Sequence, residues 1–225
     1  AAGYSVHIAS KSDRGHGSDK GHLCCGRTYL STGMVDKASE KASELINALL
    51  PFAEKGLSIV GLEPSCLLTL RDENLVLGLG PQAQIIADKA LLFEEFLSQE
   101  LKANQLNTLR TRLKDTYQPI LVHGHCHQKA MGVVPSILEV IRLIPGANPQ
   151  LIESSCCGMA GSFGYESDHQ QISMQMAELD LLPRIRAVPD AIVVADGTSC
   201  RHQIMHGSER PSMHVAQLLS DFLKS

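Results

Sequence analysis

Seven cysteines hold most of the chemistry open to this chain: Cys24, Cys25, Cys66, Cys126, Cys156, Cys157 and Cys200. Two adjacent pairs, each closed by glycine, stand in 22-HLCCGR-27 and 156-CCGMAGSFGYE-166. Thiolates are nucleophiles, redox couples and soft metal ligands. Cys126, Cys156, Cys157 and Cys200 give the second half of the chain four thiols, the usual complement of a [4Fe-4S] cluster and enough for a tetrahedral zinc. In an extended strand two adjacent side chains point opposite ways. The glycine that follows permits a turn in which both sulfurs converge. Adjacent thiolates serve two irons of one cluster more easily than two corners of one zinc tetrahedron. The intervening 29 and 42 residues also differ from the short knuckles of structural zinc sites.

Histidines widen the donor set. His123, His125 and His127 alternate around Cys126, and in an extended segment all three face one side, away from that cysteine. His202 lies two residues past Cys200, where it can replace a missing thiol. Imidazole binds zinc well, so a His-containing zinc site stays open beside hydrogen bonding to sulfur or to backbone. Arg201 is expected to set a positive charge beside an all-thiolate centre and raise its potential. Glu63 and Asp196 precede Ser65-Cys66 and Ser199-Cys200 and are expected to accept hydrogen bonds from the turns there.

These residues recur in order. Each Cys-Cys-Gly is followed, 41 positions on for Cys25 and 43 for Cys157, by a Ser-Cys pair. Each interval reads as a helix and then a short apolar strand. Duplication is the simplest account. The second copy has a strand ending at Cys126, 30 positions before Cys156, while only 23 residues precede Cys24. The first copy is therefore expected to be truncated, its opening strand and helix lying upstream of Ala1.

The elements that must position the thiols follow from periodicity. Strands are expected over 4–10, 57–62, 119–126, 150–154 and 191–197, and helices over about 34–54, 82–98, 132–143, 167–180 and 212–223. The polar stretch 98–118, with Leu101, Leu106, Leu109 and Leu113, reads as a helical linker. Alternating strands and helices predict an α/β fold of two tandem Rossmann-like repeats with largely parallel sheets, related by a pseudo-twofold: 1–110 with the linker, and 111–225. Thiol-bearing loops are expected at the strand ends.

Composition narrows the partners. The 225 residues are 44% apolar and carry 24 acids against 20 bases, so a full core is available and no basic footprint for nucleic acid exists. No apolar run is long enough to span a membrane. An odd number of cysteines closes no disulfide framework, which points to a reduced, cytoplasmic setting.

The runs 63-EPSC-66, 123-HGHCHQKA-130, 156-CCGMAGSFGYE-166 and 195-ADGTSCRHQI-204 resemble the C-terminal cysteine-rich (CCG) region of large FAD-linked oxidases. The same pairs resemble the CCG component of heterodisulfide reductase and the iron-sulfur components of glycolate oxidase and anaerobic glycerol-3-phosphate dehydrogenase. The resemblance implies an iron-sulfur electron-transfer module of a D-lactate or D-2-hydroxyglutarate type dehydrogenase. Its FAD and ferredoxin-like domains lie upstream, and a quinone or other carrier accepts the electrons. It allows peripheral attachment at the inner face of the membrane. The reductase holds a noncubane cluster on five cysteines. Here 199-SCRHQ-203 offers one cysteine where two are expected, so a cubane-type cluster on Cys126, Cys156, Cys157 and Cys200 is implied. Cys24, Cys25 and Cys66 then form a weaker or incomplete site. Zinc, and direct thiol-disulfide chemistry, remain the alternatives.

Overall fold

The computed structural model describes residues 2–10 and 22–224. They form an α/β architecture with two small parallel sheets flanked by helices. The chain divides into two compact units, Gly3–Leu92 and the residues from Phe93 onward.

In the first unit α1 (Arg27–Ser31) and α2 (Val35–Ala53) lead to β1 (Ile59–Gly61). Then come α3 (Pro64–Thr69), α4 (Glu73–Val76), α5 (Pro81–Ala87) and β2 (Ala90–Leu92). Helix α2 buries Ala38, Ala42, Ile46, Leu49 and Ala53, one stripe at three- and four-residue spacing. Strands β1 and β2 pair in parallel, Val60 opposite Leu91.

Two expectations fail in this unit. Residues 4–10 form no strand, and Val6 and Ile8 are exposed. A strand needs a partner, and β1 takes β2 instead. The single helix expected over 82–98 is α5, β2 and the start of the next helix, α6 (Phe93–Lys102). The apolar run Leu91-Leu92-Phe93 fits either period, and pairing with β1 decides it.

The unit from Phe93 onward continues through α7 (Asn107–Thr111), β3 (Ile120–His123), α8 (Cys126–Ala130) and α9 (Val134–Ile141). It ends with β4 (Pro149–Leu151), α10 (Gln170–Leu179), α11 (Leu181–Arg186), β5 (Ile192–Ala195), α12 (Thr198–Ser208) and α13 (Val215–Asp221). The sheet order is β4-β3-β5, all parallel. The central strand β3 is buried along its whole length, as a strand covered on both faces must be. Ile120 and Val122 pack with Ile137, Val140, Ile141 and Leu218. Leu121 faces the other core with Ile152, Leu181, Val193, Cys157 and Cys200. The period of two then places His123 on the Leu121 side, the side of these two thiols.

The stretch 98–118 contributes to the core. Leu106, Leu109 and Leu113 are buried in the core that Ile120 and Val122 share. Cys66 and Cys200 do not lie in loops. Each sits in the first turn of a helix, α3 and α12.

Candidate metal centre

Strand ends deliver the second group of thiols. Strand β3 stops at His123, the chain turns at Gly124, and His125 caps α8, whose first residue is Cys126. His125 Nδ1 accepts from the His127 amide at 3.2 Å, and Gln128 Oε1 accepts from the His125 amide at 2.9 Å. This reciprocal capping box fixes the direction of α8. The expected alternation of the three histidines therefore ends at His123. His125 serves the cap, and its ring meets that of His127 edge-on at 5.1 Å.

The pair Cys156–Cys157 follows β4. Gly158 has φ +88°, and a Cβ there would lie 2.0 Å from the Ser173 carbonyl oxygen. No other residue can approach the α10 backbone so closely at that dihedral. Gly26 repeats the arrangement at φ +83°, with the Ala38 carbonyl oxygen of α2 at 2.5 Å. In both turns the glycine amide donates to the first cysteine of the pair, to Cys156 Sγ at 3.2 Å and to Cys24 Sγ at 3.4 Å. The two Cys-Cys-Gly turns are thus built alike, each pressed against a helix backbone.

Around the second turn the sulfurs form a chain of contacts. Cys126 Sγ donates to Cys156 Sγ at 3.4 Å. Cys157 Sγ, Cys200 Sγ and a ring nitrogen of His123 lie within 4.8 Å of one another, all buried. Hydrogen bonds from Cys126 and then Cys157 lower the Cys156 thiol far below its usual value, aided by the Gly158 amide. The bond from Cys157 and the imidazole of His123 lower Cys200 against its burial. Cys126 and Cys157, which donate those bonds, are raised. Hydrogen bonds thus link Cys126, Cys156, Cys157 and Cys200 in one line.

His123 Nδ1 pairs with Ser154 Oγ at 3.0 Å, while its buried Nε2 has no hydrogen-bond partner. A buried imidazole beside two buried sulfurs supplies three donors of the type that soft and borderline metals take. This His/Cys/Cys cluster is capable of metal ligation, and its chemistry fits an iron-sulfur or a zinc centre.

Other expected residues lie elsewhere. His202 is exposed, its Nδ1 2.7 Å from the Tyr165 hydroxyl. Arg201 donates to the carbonyls of Ala195 and Asp196 at 2.9 and 2.6 Å, tying the end of β5 to α12. The cation that reaches the Cys-Cys turn is one that sequence reasoning missed: Lys129 Nζ donates to the carbonyls of Ser154 and Ser155. Its place, three residues beyond Cys126 in the first turns of α8, was the available signal. Glu63 accepts from Ser65 Oγ at 2.9 Å, as expected of that turn. Asp196 instead accepts from the Val215 amide at 2.9 Å and from Gln128.

In the first unit Cys25 is buried, and Cys24 and Cys66 are exposed. A hydrogen bond from Cys66 lowers Cys25 to about 7, and Cys66 is raised in turn.

A family model described as a cysteine-rich domain, CCG, matches residues 120–205. That stretch is a CCG cysteine-rich domain. It runs from the first residue of β3 into α12 and contains Cys126, Cys156, Cys157 and Cys200. The similarity to curated proteins extends beyond it. A component of the anaerobic glycerol-3-phosphate dehydrogenase of Escherichia coli strain K12 is 27% identical over 202 residues, 89% of this chain and 49% of that protein. D-2-hydroxyglutarate dehydrogenase of the same strain is 26% identical over 200 residues, 88% of this chain and 19% of that protein. The protein of that name from Haemophilus influenzae is 24% identical over 207 residues. The chain spans about half the length of the first relative and a fifth of the second. Among the described residues no helix is long and apolar enough to cross a membrane.

Proposed function

We propose that this chain is the iron-sulfur electron-relay segment of an FAD-linked dehydrogenase acting on a D-2-hydroxy acid of the D-lactate or D-2-hydroxyglutarate type. The observation that carries it is the line of contacting sulfurs Cys126, Cys156, Cys157 and Cys200 inside the CCG domain. The relatives' names supply the dehydrogenase setting, and one of them makes glycerol 3-phosphate the rival substrate.

In this reading Cys126, Cys156, Cys157 and Cys200 hold one [4Fe-4S] cluster, which would supply one-electron transfer. Buried Cys157 and Cys200 keep water from the inner side, and half-buried Cys126 and Cys156 form the side that faces a partner. The amides of the α12 N-terminus favour the Cys200 thiolate. Lys129 anchors the Cys-Cys turn through the Ser154 and Ser155 carbonyls. The flavin and ferredoxin-like domains are upstream in the parent chain, and a quinone or similar carrier takes the electrons in the cytoplasm or at the membrane's inner face. Cys24, Cys25 and Cys66 form a second, incomplete site. The matched Gly26 and Gly158 turns support two repeats, 1–110 and 111–225, arisen by duplication.

A zinc-stapled structural domain is the second reading, favoured by the His123 imidazole grouped with Cys157 and Cys200. Purification without oxygen followed by iron, zinc and acid-labile sulfide assays separates the two. Brown protein with iron and sulfide supports the relay. A colourless zinc protein overturns it.

A further inference from the structure

Behind the sulfur chain lies a second set of polar groups that the relay does not use. Glu94, near the start of α6, and Gln128 are 0% exposed and Asp196 is 1% exposed, so water does not solvate these side chains. Gln128 Nε2 bridges the two acids, donating to Glu94 Oε1 at 2.5 Å and to Asp196 Oδ2 at 2.9 Å. Asp196 Oδ1 accepts from the Val215 amide at 2.9 Å, with His214 Nε2 at 3.5 Å. Glu94 Oε2 is buried with no hydrogen-bond partner. A negative charge on an oxygen so placed is costly, and a proton removes the cost.

The bridge abuts the candidate centre. Gln128 belongs to the first turn of α8 that begins at Cys126, and its Oε1 completes the cap of that turn. Asp196 adjoins Gly197, where a Cβ would lie 2.4 Å from His125 Cδ2 and 3.2 Å from Cys200 Sγ. Charge at the sulfurs therefore reaches the acids through a dry interior, where Coulomb interactions are strong.

We propose that Glu94 stands beside the centre as a neutral acid, and that its proton state sets how readily the centre accepts an electron. Glu94 is a positioning residue in this scheme. The inference rests on the iron-sulfur reading. When Glu94 has lost its proton, one electron passed from a reduced flavin to a cluster held by Cys126, Cys156, Cys157 and Cys200 would be balanced by one proton taken from water onto the carboxylate. Oxidation returns it, and no other bond changes. Burial, and next the charge of Asp196, raise Glu94 to about 8, which places the transition within reach. The charges that act on Glu94 are Asp196, from the loop before α12, and Glu95 on its own helix; the elements packed against α6 add Glu139 of α9 and His214 before α13, the latter beside Asp196. Glu139 is held by Ser98 and Lys102, further along α6.

The test is a redox titration of the anaerobically purified protein with dithionite, followed by visible absorption, on both sides of pH 8. In the native protein the equilibrium constant for reduction is flat below that value. Above it the constant falls, by up to about tenfold per pH unit. Glu94→Gln, which keeps the shape of the neutral acid, should hold the low-pH constant throughout. An unchanged pH profile in Glu94→Gln overturns the proposal. Iron and sulfide assays on the same samples judge the relay reading separately. The carboxylic acid C=O stretch in the infrared, present at neutral pH and absent from Glu94→Gln, judges the proton whatever the metal. Its absence overturns the proposal, and a zinc centre overturns the redox link.

Discussion

Cys157 and Cys200, 43 positions apart in sequence, bring their sulfurs within 4.8 Å of each other and of a His123 ring nitrogen. The parallel pairing of β3 and β5 makes this possible, because His123 lies opposite Ala195, one strand residue from the loop that starts α12.

Cys156 accepts from Cys126 and from the Gly158 amide, so it stands in the middle of the sulfur chain. Cys156→Ser should remove most iron and sulfide from anaerobically prepared protein. Cys66→Ser, in the trio of the first unit, should remove less. Iron and acid-labile sulfide per chain measure both. Loss of iron in the Cys66 variant with retention in the Cys156 variant would reverse the ranking of the two sites.

His123 sets a ring nitrogen within 4.8 Å of the Cys157 and Cys200 sulfurs, and its Nδ1 pairs with Ser154 Oγ. His123→Ala should weaken metal retention roughly 10- to 100-fold, the usual cost of removing a supporting group. Competition with a chelator measures it. Retention equal to the native protein would show that the ring only fills space.

Gly158→Ala sets a Cβ 2.0 Å from the Ser173 carbonyl oxygen at φ +88°. Left-handed backbone alone costs a β-carbon about 1–2 kcal/mol, and the clash adds to it. We expect a loss of at least about 2 kcal/mol in stability by urea unfolding, with metal content falling alongside. Gly33→Ala is the control, with φ +77° but nothing within 4 Å of the added carbon.

Glu94 also governs stability. Its folded value, raised to about 8 from 4.5, means that the folded chain holds a proton between those values that the unfolded chain has released. Its contribution is full below pH 4.5 and is lost as pH rises through 8, at up to about 1.4 kcal/mol per pH unit. Urea unfolding of Glu94→Gln should lack this decline. Parallel pH dependence in the two proteins would place the proton elsewhere.

The sequence displays the site better than its supports. Local signals carried well: the helix over Val35–Ala53 shows in its apolar stripe, and β3 shows in Ile-Leu-Val. Glycine after each cysteine pair foretells a turn, and both glycines have positive φ. What failed depends on distant partners. Residues 4–10 have strand-like alternation without a strand to pair with, and Ala90–Leu92 becomes a strand because β1 lies beside it. The contacts of Gln128 with Glu94 and Asp196 join residues 34 and 68 positions apart, and no local period encodes them. His202 looked like a spare ligand by position, yet its place on α12 turns it to Tyr165.

The unequal exposure of the thiols makes the protein its own chemical footprint. Cys24 and Cys66 are open to water, whereas Cys157 and Cys200 are 2% and 1% exposed. A water-soluble alkylating reagent meets Cys24 at once, Cys66 more slowly because its thiol holds the proton, and the inner pair only as the CCG domain opens. Peptide mass spectra taken over time then report surface thiols and interior breathing as two separate clocks, in a chain that needs no added label.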